Sequence, residues 1–96
     1  MADKRFSIIV DSLDHCIVCG RQHPHKHEVF FGGKARNASI KYGMVIPLCY
    51  EHHEGNDSPH LNREIDLNYK RMAQAKWEET YGTRTQFITI FGKSYI

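Results

Sequence analysis

Two short half-sites, Cys16-Ile17-Val18-Cys19 and Cys49-Tyr50-Glu51-His52, constrain this chain more than any other feature. Each sets two soft ligands two residues apart, the spacing that grips a closed, tetrahedral structural zinc ion. Three thiolates and one imidazole complete such a shell and use every cysteine in the sequence. An odd cysteine count, in a chain that opens on no charged-then-apolar leader, argues against a disulfide framework. His53 follows the last ligand directly. On a helix, successive side chains diverge by about 100°, so His53 is left over for other chemistry.

Length explains why a metal is wanted. The chain has 96 residues, read as one domain that buries a small share of its surface and has a thin margin of stability. Its net charge of +2, from 13 Lys and Arg against 11 Asp and Glu, is mildly basic: compatible with nucleic acid without demanding it. No apolar run approaches the roughly 20 residues of a membrane span, so a cytoplasmic protein with no membrane partner is expected. Seven histidines, with His23, His25 and His27 on alternate positions, are the unusual entry in the composition. A solvated polar loop that happens to carry imidazoles is the plain account of them.

In chain order, residues 1–15 form a lead-in, with Met1 to Arg5 polar and frayed and Phe6 to Val10 a short strand. Cys16 to Gly20 reads as a zinc knuckle whose glycine takes positive φ to close the turn. Arg21 to Lys26 is loop, and His27 to Phe31 is a strand stopped by Gly32-Gly33. Lys34, Arg36 and Lys41 lie in a basic stretch read as a loop or a short irregular helix. Met44 to Leu48 is an apolar strand in which Pro47 implies an edge or a bulge, so two strands around a glycine turn lead into Cys49. A short helix carries His52 and His53, closing a zinc core of residues 16–54. Residues 60–96 hold the C-terminal helices. Leu61, Ile65, Tyr69, Met72, Ala73 and Trp77 recur at helical steps to about Tyr81, with Asp66 and Lys70 as an i,i+4 ion pair and Gly82 as cap. Thr83 caps a last helix bearing Phe87, Ile90 and Phe91, stopped by Gly92.

The expected fold class is therefore α+β: a small zinc-stabilised treble clef with a long C-terminal helix and a short final one. That layout holds the strand at His27 beside the helix at His53. Two imidazoles and the Glu28 carboxylate near one point suit a divalent cation with open positions for phosphate and water. A base beside it would activate water against a phosphodiester, and Lys34, Arg36 and Lys41 would meet nucleic-acid phosphates.

The combination Cys16-x-x-Cys19, His27-Glu28-Val29-Phe30, Lys41-Tyr42-Gly43, Leu48-Cys49-x-x-His52-His53 and the tail from Glu64-Ile65-Asp66-Leu67 to Phe91-Gly92-Lys93 resembles the small HNH-endonuclease-like proteins of bacteriophages and prophages. The likeness runs from about Cys16 to Ile96. It implies a ββα-metal nuclease in a bacterial or phage-infected cell, cutting or nicking DNA with a catalytic Mg²⁺, Mn²⁺ or Ni²⁺ ion, as a monomer or a homodimer. By that resemblance His27 and His53 fall on metal-ligand positions, and Glu28 falls where the family has its general-base His. Met44 stands about where the family's Asn is expected, with Asn37 a distant substitute. Either Glu28 or His27 is then the base. Asn56, Asp57, His60 and Asn62 are candidates to complete the metal shell or touch phosphate, His60 first among them. The rival reading is a treble-clef module that kept the zinc, lost catalysis, and binds DNA or protein in a phage assembly. A further variant puts His23 or His25 in place of His52 on the zinc.

Overall fold

The histidine-rich segment and the apolar run before Cys49 do form strands, and they pair with each other. In a computed structural model that describes residues 5–96, β1 (His25–Glu28) and β2 (Val45–Leu48) make a two-stranded antiparallel sheet. The register sets His25 against Leu48, Lys26 against Pro47, His27 against Ile46 and Glu28 against Val45. The first strand therefore begins two residues earlier than expected and ends at Glu28. Val29 and Phe30 leave the ladder because other partners take their backbone groups. The Val29 N–H donates to the Met44 carbonyl, and the Ser39 hydroxyl both accepts from the Phe30 N–H and donates to its carbonyl.

The strands are joined by a helix rather than a glycine turn. The basic stretch forms α1 (Lys34–Tyr42), nine residues ended by Gly43 at φ 74°, with the Gly43 N–H on the Ser39 carbonyl. Few side chains prefer that left-handed conformation, and glycine meets it without strain. After β2 come α2 (Tyr50–Glu54), α3 (Arg63–Thr80) and α4 (Arg84–Phe91). α3 starts two residues later than its apolar spacing suggested. The Asn62 side chain accepts from the N–H groups of Glu64 and Ile65 and fixes the start there, leaving Leu61 outside and 65% exposed. Tyr81, not Gly82, is its last cap position, while Thr83 and Gln86 make a reciprocal capping box for α4 and Gly92 ends it in the left-handed region. The Asp66–Lys70 pair forms at 2.7 Å.

The lead-in departs from expectation. Phe6 to Val10 forms no strand: the Ser7 hydroxyl accepts from the N–H groups of Ile9 and Val10, a local turn that competes with a ladder. Arg5 is not frayed but ion-paired with Glu28 at 2.7 Å; the expectation for residues 1–4 lies outside the described residues.

The core is shared by all these parts. Phe30, Phe87, Phe91 and Trp77 meet ring to ring, with Phe30 4.7 Å from Phe91 and Phe87 stacked 4.5 Å from Phe91, over Met44, Ile46 and Leu48. Burying each such aromatic contributes roughly 1.5–3 kcal/mol, which is what docks α4. Cys16 and Cys49 sit at the edge of the same cluster. On α3 the buried stripe is Ala73, Gln74 and Trp77, with Met72 on the exposed side. Gln74 is buried because its amide holds the tail, accepting from the Tyr95 N–H at 2.7 Å and donating to the Ser94 hydroxyl. Among the described residues, no helix is long and apolar enough to cross a membrane.

Candidate metal centres

The first half-site is a turn before it is a ligand pair. The Gly20 N–H donates to the Cys16 carbonyl and the Cys16 N–H to the Arg21 carbonyl, both at 2.9 Å, with Gly20 at φ 76°. The Ile17 N–H donates to the Pro47 carbonyl at 2.8 Å, which seats the turn on the outer edge of β2. Proline removes a donor there but leaves its acceptor. The second half-site begins at Cys49, the extended residue that caps α2, and reaches His52 one turn later.

These elements bring the four ligand atoms of Cys16, Cys19, Cys49 and His52 together. Around a tetrahedral ion held at about 2.3 Å by sulfur and about 2.0–2.1 Å by nitrogen, two sulfurs stand about 3.8 Å apart and a sulfur and a nitrogen about 3.5 Å. The Cys19 and Cys49 Sγ atoms are 3.7 Å apart, and His52 Nδ1 lies 3.6 Å from Cys16 Sγ and 3.2 Å from Cys49 Sγ. The cluster is compatible with a structural metal ion. Its electrostatics favour thiolate at two of the three sulfurs; at Cys19 the backbone at Arg21 lowers the pKa, but burial and the neighbouring Cys49 and Cys16 thiols outweigh that and raise it. Burial pushes the Cys16 thiol up, but hydrogen bonds from the backbone of Cys49, Cys19 and Val18 outweigh it and bring it down to about 6. The backbone at His52 lowers Cys49 as well, and a thiolate is the form that ligates. His23 and His25 stand apart from this cluster: His23 lines a different cavity with His15 and Pro24, and His25 faces His53.

His52 and His53 diverge as adjacent helical residues must. His53 turns to the face of β1, where ring centroids are 5.0 Å from His27, 4.8 Å from His60 and 5.0 Å from His25. One nitrogen each from His27, His53 and His60 lies within 4.8 Å of the other two. His60 Nε2 is 3.1 Å from His53 Nε2, near the roughly 3.3 Å that separates two imidazole nitrogens on one tetrahedral ion. His27 is the informative member. It is 2% exposed, and its Nε2 is buried with no hydrogen-bond partner among the described residues. Buried polar atoms are nearly always paired, so this one, like Asp66 Oδ1 and Trp77 Nε1, calls for a partner such as a water or an ion, and of the three only His27 has two further imidazoles beside it. Burial, then the nearby His53 and His60, push its pKa down to about 3. Burial likewise lowers His53. Neutral imidazoles are the ligating form.

A cavity of about 330 Å³ opens over this cluster, walled by Glu28, Phe31, Gly32, Gly33 and Arg36 beside the three histidines. Glu28 does not add to the imidazole set. Its Oε1 accepts from Arg5 Nε and Nη2 at 3.1 and 2.7 Å and from Arg36 Nε at 3.3 Å. Although burial raises its pKa, the bonds from Arg5 and the charge of both guanidiniums hold the carboxyl below its ordinary value. Of the three basic residues proposed for nucleic acid, Arg36 borders the cavity. Lys34 is exposed at the start of α1, and Lys41 lies about 10 Å further along the helix axis, its Nζ over the Tyr42 ring. Met44 is fully buried and apolar, and Asn37 is exposed on α1. Asn62 is spent on its cap, Asp57 lies by His52 and Tyr69, and Asn56 is exposed in the turn after α2.

Two residues take places other than those expected of them, a frayed terminus for Arg5 and a polar loop or the zinc for His25. Arg5 carries no local signal, because its partner is 23 residues away. His25 had one: on a strand, positions 25 and 27 share a face. No protein family, no curated protein and no solved structure matches this chain.

Proposed function

We propose that this chain is a metal-dependent DNA endonuclease or nickase of the HNH type, built on a zinc-stabilised treble clef whose structural Zn²⁺ is held by Cys16, Cys19, Cys49 and His52. The observation that carries the reading is the buried, unpaired Nε2 of His27 beside the ring nitrogens of His53 and His60. Three imidazoles and a cavity large enough for a phosphate are what a catalytic cation with open positions needs. Such an ion would supply Lewis-acid stabilisation to the developing phosphodiester charge and the leaving oxygen. Imidazole-only donors suit Ni²⁺ better than Mg²⁺ among the expected cations, since Mg²⁺ and Mn²⁺ prefer oxygen ligands.

The chain's own residues divide the remaining work. His27 and His53, neutral through burial, act as ligands, which leaves Glu28 as the better of the two candidate bases. It is ionised at neutral pH and stands at the cavity wall, although its pairing with Arg5 and Arg36 makes it a weak acceptor. Arg36 borders the same cavity and would meet a scissile phosphate, with Lys34 and Lys41 touching the strand further along α1. The alternative is a catalytically inactive treble-clef module binding DNA or protein. Its support is the same carboxylate, tied to two guanidiniums where the resembled family has its general-base His.

Nicking of supercoiled plasmid with Mg²⁺, Mn²⁺ or Ni²⁺ separates the two. The parent should nick, most strongly with Ni²⁺, and both His53→Ala and Glu28→Ala should lose activity while keeping their fold and one zinc. A parent inert with every cation on supercoiled, linear and branched DNA leaves the binding module.

A further inference from the structure

His53 has neighbours at both ring nitrogens, and the two are different in kind. Its Nε2 faces His60 at 3.1 Å, with the buried His27 ring 5.0 Å away between centroids; its Nδ1 faces His25 Nδ1 at 2.8 Å and Glu54 Oε1 at 3.5 Å. The second group, His25 with His53 and Glu54, is itself close enough to be read as an ion site. Three observations weigh against that. A separation of 2.8 Å is a hydrogen-bond length, shorter than the roughly 3.3 Å that two imidazole nitrogens keep around one tetrahedral ion. His25 and Glu54 are exposed, and no buried orphan points to them as one does at His27. A neutral imidazole also has one proton and one lone pair, so His53 can give only one nitrogen to an ion.

We propose that His25 is the positioning residue of the imidazole site, accepting the His53 Nδ1 proton so that His53 is locked as the tautomer whose Nε2 lone pair faces His27 and His60. This rests on the metal reading above. The strand makes it possible: β1 presents His25 and His27 on one face, one toward each end of the same His53 ring. His25 is in turn held edge-on by Tyr50, with ring centroids 6.1 Å apart. Because it accepts through Nδ1, its own proton is on Nε2. Glu54, at 3.5 Å, adds charge on the Nδ1 side without a well-formed hydrogen bond. The arrangement gives His53 the outer partner that ligating histidines usually need, one whose loss weakens ion binding about 10–100-fold.

The test titrates Ni²⁺ into zinc-loaded parent, His25→Phe and His25→Gln, with zinc content and circular dichroism recorded for each. His25→Phe keeps a ring beside Tyr50 but cannot accept; the His25→Gln carbonyl can. Ni²⁺ affinity should fall about 10–100-fold in His25→Phe and recover in large part in His25→Gln, with one zinc and the fold kept in both. Long-range ¹H–¹⁵N spectra of the parent should show the His53 proton on Nδ1. Equal Ni²⁺ affinity in the parent and His25→Phe, or a His53 proton on Nε2 in the Ni²⁺-free parent, overturns the role of His25 and leaves the metal reading standing. A parent that binds no Ni²⁺ beyond its zinc overturns both. Two Ni²⁺ ions per chain, one of them lost in Glu54→Gln, would make His25 a ligand and refute the proposal.

Discussion

Cys49→Ser tests the structural ion most directly, because Cys49 belongs to both the metal cluster and the core. Its sulfur is 3.7 Å from Cys19 Sγ and 3.2 Å from His52 Nδ1, and the residue is 2% exposed at the N-cap of α2. Structural zinc in small domains contributes an apparent 10–16 kcal/mol, roughly, at neutral pH, against a whole-domain stability of about 5–15 kcal/mol. Losing even half of the former, about 5–8 kcal/mol, matches or exceeds the low end of the latter. Besides an ion, the lead-in and knuckle are held by the Arg5–Glu28 pair and by Ile8, Ile9 and Cys16 against the core. Among the described residues, their backbone ties to the rest of the chain are the Ile8 N–H on the Gly43 carbonyl and the Ile17 N–H on the Pro47 carbonyl. At about 0.5–1.5 kcal/mol net for each hydrogen bond, such ties cannot replace the ion. The Ser variant should elute from size exclusion without zinc, show a largely unfolded far-ultraviolet spectrum, and give no sulfur-to-metal charge-transfer band on Co²⁺ addition. A folded Cys49→Ser protein that keeps a full equivalent of metal in the thiolate cluster would refute the assignment and the coupling of binding to folding.

Acid should find His27. Burial, then the neighbouring imidazoles, lower its pKa to about 3 in the folded chain, against about 6.5 unfolded. The unfolded state therefore takes up the proton first: this stabilisation is complete above about pH 6.5 and fades as pH falls toward 3, by an amount on the order of a few kcal/mol. Urea melts of the parent should show that loss, and those of His27→Phe should lack most of it; identical pH slopes would contradict the burial argument. Gly43→Ala should cost about 1–3 kcal/mol, since φ is 74° and a Cβ would lie 2.6 Å from Phe6 Cε2 and 3.2 Å from the Ile8 nitrogen. An unchanged melting temperature would show that the lead-in does not pack there.

Spacing made the ligands of the first cluster legible, because metal coordination is a short-range demand: two residues between ligands on one turn, and the same again on another. Local chemistry likewise announced the Thr83 cap, the Gly92 stop and the Asp66–Lys70 pair, all complete within four residues. The same short range misled where a local competitor was overlooked. Ser7 turned an apolar run into a bend and Asn62 moved the start of α3, whereas Phe30 was drawn out of its strand from nine residues away, by Ser39 on α1.

The imidazole cluster was only partly within reach of sequence. Its members come from β1, α2 and the turn before α3, 33 residues from end to end by the numbering of His27 and His60, and the order along the chain does not say which ring edges will meet. Burial decided which histidine became neutral and unpaired, and long-range pairing decided that Glu28 would be held by Arg5 and Arg36. Residue identity and near spacing thus determined the kinds of chemistry available here. Tertiary packing alone decided which nitrogen faces which, since desolvation and ring orientation exist only once distant segments have closed around them.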